Sequence, residues 1–286
     1  MIIDLLFTAK SAQKRPSLMI LVGMFYTFVA MFLAYLIQPD YSSVLKVFFT
    51  VLACMPLVYN TIKYEEKKDE TCFNETKLLK QHSKALKVFI CLFIGMSIAF
   101  SLGNIFLPEE VTDELFEAQL TTYENMMSGA YSLEGAFFEI LSNNLIVLVL
   151  CMFFSFIYGL GAIYILAWNA SIVGFAIGNL ISTEIAKLAG LVGFEQIAGY
   201  FKVYSCAYFI RYLPHGIIEM VSFFIAGLAM GIVSIAVVKH SFTSKKFSNI
   251  ILDSGTMITI AFGLLILAAI IEIFVTPIIY GLICTI

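Results

Sequence analysis

Charge is the first scarcity. Only 13% of the 286 residues are Asp, Glu, Lys or Arg, about half the share of an ordinary soluble domain. Arginine is almost absent, with Arg15 and Arg211 against fifteen lysines. There is one tryptophan, and the six cysteines (54, 72, 91, 151, 206, 284) include no CxxC pair. That excludes a zinc ribbon or a redox CxxC motif, and the cysteines read as small apolar residues with no disulfide framework. Enzyme motifs are missing too. "HGIIE" lacks the adjacent Glu and second His of a zinc protease, and neither GxSxG nor a phosphate-binding loop occurs. Nothing in the chain implies a cofactor, and a net charge of −3 with no basic stripe gives no footing for nucleic acid.

What is present is apolar surface. The chain is 60% hydrophobic, with a mean hydropathy of +0.94. The apolar residues recur in blocks of about 20, the length that crosses a bilayer as a helix. The fold class is therefore all-α, a polytopic transmembrane bundle. Seven spans are expected, near 17–37, 44–62, 88–107, 144–167, 170–190, 213–238 and 256–280. The first is too long and too uniform for a cleavable signal. The fifth, ending with Glu184 and Lys187, can also be read as re-entrant, and 191–212 is apolar enough to lie along the interface.

Charge distribution sets the orientation. With the N-terminus inside, thirteen of the seventeen basic residues fall on the cytoplasmic side: Lys10, Lys14, Arg15, seven lysines of the 63–87 loop, Lys239, Lys245 and Lys246. Residues 108–142 carry eight acids and no Lys or Arg. This segment is expected outside, with an amphipathic helix over 112–127. It reads either as a solvated face or as a docking or cation-attracting surface. The last part of the 63–87 loop suits an anionic inner leaflet. The sequons at Asn74 and Asn169 fall on the expected inner side. The location is the cell membrane, multi-pass, and the Lys-for-Arg bias suits an AT-rich prokaryotic genome.

Small residues mark close helix contacts. Gly174 with Gly178, and Gly227 with Gly231, form GxxxG pairs that serve packing within the monomer or a homo-oligomer. "YGLGA" at 158–162 is a bend point in the fourth span, and Trp168–Asn169 are expected at its inner end.

The costly residues are the ionisable ones at membrane depth. His215 and Glu219 lie one turn apart on span six, and Glu272 lies at matching depth on span seven. Both carboxylates fall about 10 Å from the outer face. Asn143 and Asn144 open span four and Glu184 closes span five on the same side. Pro214 fits the first turn of its helix, and Pro277 is expected to bend span seven beyond Glu272, freeing carbonyls. Three readings stay open for this set: packing, an ion or proton path, or a metal held by His215, Glu219 and Glu272.

"ILSNNLIVLVL", "GLGAIYILAWNASIVGFAIG", "LPHGIIEMVSFFIAGLAMG" and "LAAIIEIFVTP" together resemble the stage II sporulation protein M family of integral membrane proteins. The resemblance covers roughly 86–286. It leaves 1–85 as a two-span extension with a charged cytoplasmic loop. Asn144, Pro214, His215, Gly216, Glu219, Glu272 and Pro277 match the family pattern. The resemblance implies a non-enzymatic scaffold that recruits partners at the membrane, as relatives in endospore-formers do with peptidoglycan-remodelling hydrolases. The alternative is a channel or secondary transporter for protons, cations or a small solute, using the His/Glu cluster. The expected partners are the lipid bilayer, external or membrane proteins meeting 108–142, and a second copy of the chain.

Overall fold

The computed structural model describes residues 9–69, 78–127, 133–158, 161–188, 190, 193–239 and 242–284. In chain order the helices are α1 (Ala9–Lys14), α2 (Leu18–Ile37), α3 (Ser42–Asp69), α4 (Leu78–Phe106), α5 (Glu109–Met127), α6 (Leu133–Tyr158), α7 (Gly161–Lys187), α8 (Phe194–Ser205), α9 (Leu213–Lys239), α10 (Lys245–Ile270) and α11 (Thr276–Ile283). Two π-helical turns interrupt this order. The first, Cys206–Arg211, follows α8, and the second, Ile271–Val275, joins α10 to α11. Seven of the helical stretches are long and apolar enough to cross a membrane, so the chain is an all-α polytopic membrane protein.

Following the chain up and down gives the bundle two ends. One holds the Pro39–Tyr41 turn, α5, α8 and α11, and is called the α5 end. The other holds α1 with the far ends of α3, α4 and α9. α9 packs chiefly on α10 and α6, while α4 packs on α2 and α7. The core joins residues from the first helices to the last, Met19, Val47, Leu92, Phe116, Phe223 and Leu265 among them. α2 and α3 are thus built into the same core as the rest.

Glycine lets α2 and α4 cross closely. A Cβ on Gly23 would lie 2.6 Å from the Leu92 carbonyl oxygen, and one on Gly95 would strike that of Ile20. Gly174 and Gly178 do the same for α7 against α4. A Cβ on Gly174 would meet Phe100 Cβ at 2.6 Å, and one on Gly178 would collide with Asn104. This GxxxG pair therefore packs within the monomer. Gly227 and Gly231 are buried within α9. Gly216 has open space where a Cβ would go, so packing in the chain does not require glycine there.

Several expected boundaries move. The boundary between spans four and five does not fall at Trp168–Asn169, which lie within a helix. α6 ends at Tyr158 and α7 begins at Gly161. Asn169 sits inside α7 and its amide donates to the Ile165 carbonyl at 2.9 Å. Within "YGLGA", 159–160 lie outside the described residues, as does the sequon at 74–76. Span five is a full-length helix. The expected acidic loop is mostly helical: α5 covers 109–127, and 133–142 already belong to α6; 128–132 lie outside the described residues.

The 63–87 segment differs most. α3 continues to Asp69 and α4 starts at Leu78, with 70–77 outside the described residues. Glu65, Glu66 and His82, which a solvated loop would expose, are fully buried. Glu65 accepts from Gln13 Nε2 at 2.6 Å and lies 2.8 Å from His82 Nδ1. Lys239 pairs with Glu66. These contacts tie α1, α3, α4 and α9 together, and burial is tolerated because the charges meet partners.

Candidate functional site

The polar cluster forms where two irregular turns meet at the α5 end. Pro277 explains the second of them. Proline has no N–H to donate and its ring crowds the carbonyl four residues back, here Ile273. The helix answers by widening: the Thr276 N–H bonds the Ile271 carbonyl, a five-residue step. The bend expected at Pro277 therefore takes the form of an inserted residue, with Glu272 on it. Pro214 lies in the first turn of α9, where an amide hydrogen is not needed.

His215 Nδ1 is 3.1 Å from Thr276 Oγ1, and its Nε2 is 4.0 Å from Glu272 Oε1. The His215 side chain is 12% exposed and that of Glu272 32%. Glu219, one turn below His215, is close enough to Glu272 for their charges to interact, and the Asn144 side chain reaches it from α6. Arg211, on the first π turn, acts electrostatically on both His215 and Glu272. Its guanidinium lies 5.5 Å from the Tyr280 ring centre. Two carboxyl groups, one guanidinium, one imidazole and one amide thus meet from α6, α9 and the two π turns, with α11 adding Thr276 and Tyr280.

Not every expected residue joins them. Asn144 is buried, but Asn143 is exposed. Neighbours on a helix point about 100° apart, so only one of the pair can face the cluster. Glu184 pairs with Lys187 at 2.6 Å. It borders a separate small cavity with Lys202, Tyr280, Cys206 and Cys284. Among the described residues no group of three or more His, Cys, Asp and Glu is placed to hold a metal ion.

A second polar centre lies on the other side of the α5 end. Lys46 is fully buried near the start of α3. Its ammonium donates to the Leu115 carbonyl. It also sits 3.3 Å from the Phe116 ring centre and 5.4 Å from that of Phe100. Among the described residues no carboxylate pairs with it. One turn along α5, Gln119 Nε2 donates to the Ser43 carbonyl at 3.2 Å and to Ser171 Oγ at 3.1 Å. Phe116 stacks on Phe175. α5 is therefore sunk into the bundle along Leu115, Phe116 and Gln119.

Neither Lys46 nor Arg211 belongs to the polar set expected from the sequence. The available signals were a lone lysine inside an apolar block and an arginine one turn before His215. The six cysteines were read as unlinked, yet Cys206 and Cys284 are bonded to each other. Their separation of 78 residues hides the pairing in the sequence.

The family model described as "Stage II sporulation protein M" matches residues 19–277. The match begins within the first span, well ahead of the 86–286 stretch that carries the motifs. Neither a curated protein nor a solved structure matches the chain.

Proposed function

The chain belongs to the stage II sporulation protein M family, and from that premise we propose that it is a membrane-embedded scaffold, a non-enzymatic platform that gathers external or membrane partners at its α5 end. The observation behind this reading is the way α5 is held. Its inner face is fixed by Lys46, Phe100, Phe175 and Ser171. Its outer face exposes Glu109, Glu110, Asp113, Glu114, Glu117 and Glu124. Among the described residues none of these six forms an ion pair with Lys or Arg. A helix anchored this way offers a fixed pattern of charge, so a partner that docks on it loses little by ordering it. The positive-inside distribution supports an external position for this face.

A transport role is the second reading, favoured by the meeting of Glu219 and Glu272 at membrane depth. A small cavity among the helices is ringed by Val58, Ile62, Phe89, Leu92, Phe224 and Leu228, with Ser155 also in its lining. The cavity inside that ring has room for about one water molecule.

Both readings are tested on one set of variants. Site-specific photocrosslinking from exposed α5 positions in cells is compared between wild type and a variant with Glu109, Glu110, Asp113 and Glu114 changed to Lys. The scaffold reading expects discrete crosslinks that the variant loses while its thermal stability holds. Proton and cation flux is measured in proteoliposomes for wild type, Glu219→Gln and Glu272→Gln. Flux in wild type that both substitutions abolish, with no α5 crosslinks, would replace the scaffold with the transporter.

A further inference from the structure

The bond between Cys206 and Cys284 has consequences for both topology and the polar cluster. Cys206 opens the first π turn and Cys284 follows α11. The other described cysteines, Cys54, Cys91 and Cys151, lie within spans and are free; Cys72 lies outside the described residues. A disulfide persists where thiols meet an oxidising compartment and is rare where glutathione or thioredoxin keeps them reduced. Lysine and arginine counting independently assigns the α5 end to the outside. The two arguments share no residue.

The bridge also joins the two segments that build the cluster. The first π turn carries Arg211, and α11 carries Thr276 and Tyr280. Thr276 holds His215, and Tyr280 lies under Arg211. Both cysteines are almost fully buried, against Leu180, Val203 and Ala207.

We infer that Cys206 and Cys284 form a native disulfide, made by exchange with an extracytoplasmic disulfide-carrying oxidoreductase, which marks the α5 end as external and clamps α11 over the Arg211–His215–Glu272 cluster. The chemistry balances in two exchanges. One cysteine thiolate attacks the donor's disulfide. The donor S–S bond breaks, a mixed disulfide forms, and a donor thiolate leaves. The second cysteine thiolate then attacks the mixed disulfide, forms the internal bond and releases the donor as its dithiol. Two electrons pass to the donor and no other oxidant is needed.

The test begins with the full-length protein, purified without reductant, denatured and treated with a maleimide that adds a resolvable mass. The chain has six cysteines, so two in a bridge leave four to react, and all six react after reduction. Cys206→Ser and Cys284→Ser should each show five reactive thiols with or without reductant. Six reactive thiols in unreduced wild type would overturn the pairing. In spheroplasts, an impermeant maleimide should label a cysteine placed at the exposed α5 position 117 (Glu117→Cys), as read by peptide mass mapping. Labelling only after permeabilisation would overturn the topology. For the clamp, reductant should lower the melting temperature of wild type by several degrees and leave Cys206→Ser/Cys284→Ser unmoved. An equal response in both, or none in wild type, would remove the clamp.

Discussion

Lys46 places its ammonium 3.3 Å from the centre of the Phe116 ring and bonds the Leu115 carbonyl beside it. A polar nitrogen in the interior of a membrane bundle is thus held by an aromatic face and a backbone oxygen, with α5 supplying both. Desolvated contacts of this type are worth about 2 kcal/mol. Phe116→Leu should therefore cost about that much, beyond a modest packing loss. In a Lys46→Met background the same substitution should cost much less, because the cation is already gone. A double-mutant cycle on thermal or denaturant unfolding in detergent reads the coupling. Additive effects would mean that the ring serves only to fill space.

The glycines at the α2–α4 crossing give a sharper contrast. Gly23→Ala drives a methyl group against the Leu92 carbonyl, and overpacking of this kind costs about 1–3 kcal/mol. Gly216→Ala meets nothing, and alanine favours a helix over glycine by about 1 kcal/mol. Thermal melts should show Gly23→Ala destabilised and Gly216→Ala equal to wild type or better. If Gly216→Ala then fails in partner crosslinking, the glycine serves a surface that another molecule covers.

Adjacent asparagines should behave oppositely. Asn143 is exposed on α6, so Asn143→Leu should change stability by no more than about 0.5 kcal/mol. Asn144 is buried and reaches Glu219. Asn144→Leu should cost about 1–3 kcal/mol, because it leaves that carboxyl short of a donor. Equal melting temperatures for the two variants would detach Asn144 from the cluster.

At the α1 end, Glu65→Ala removes the acceptor for Gln13 and the partner of His82. Removing one member of a buried charged network costs about 3–5 kcal/mol. Glu65→Gln keeps the shape and part of the hydrogen bonding and should cost less. The order wild type, Gln, Ala in chemical-denaturation midpoint is the expected result. Reversal of the two variants would argue against a bonded network.

The seven spans were legible because bilayer thickness writes a length into the sequence, and His215, Glu219, Glu272 and Asn144 were legible because a polar residue stands out in an apolar run. The facing of charged segments was not. Glu65, Glu66 and His82 sit in a stretch whose average composition is that of a solvated loop. Only their positions on α3 and α4, relative to Gln13 and Lys239, turn them inward. Lys46 interrupts an apolar block, but its aromatic partner lies about seventy residues away on α5, a helix expected within an external acidic segment. The boundary between α6 and α7 was missed because Trp168 and Asn169 mimic an interfacial boundary while lying within α7.

The second π turn also fixes how the last span is phased. A π turn holds one residue more than the α-helix around it needs, and one residue corresponds to about 100° of rotation. Were Ile271–Val275 wound instead as regular α-helix with no residue removed, the extra residue would advance everything after it. Thr276 and Tyr280 would then swing away from His215 and Arg211 by about 100° relative to α10. Cys284 would be carried off Cys206 in the same movement. The wider winding of this turn thus sets the angular phase of every contact that α11 makes.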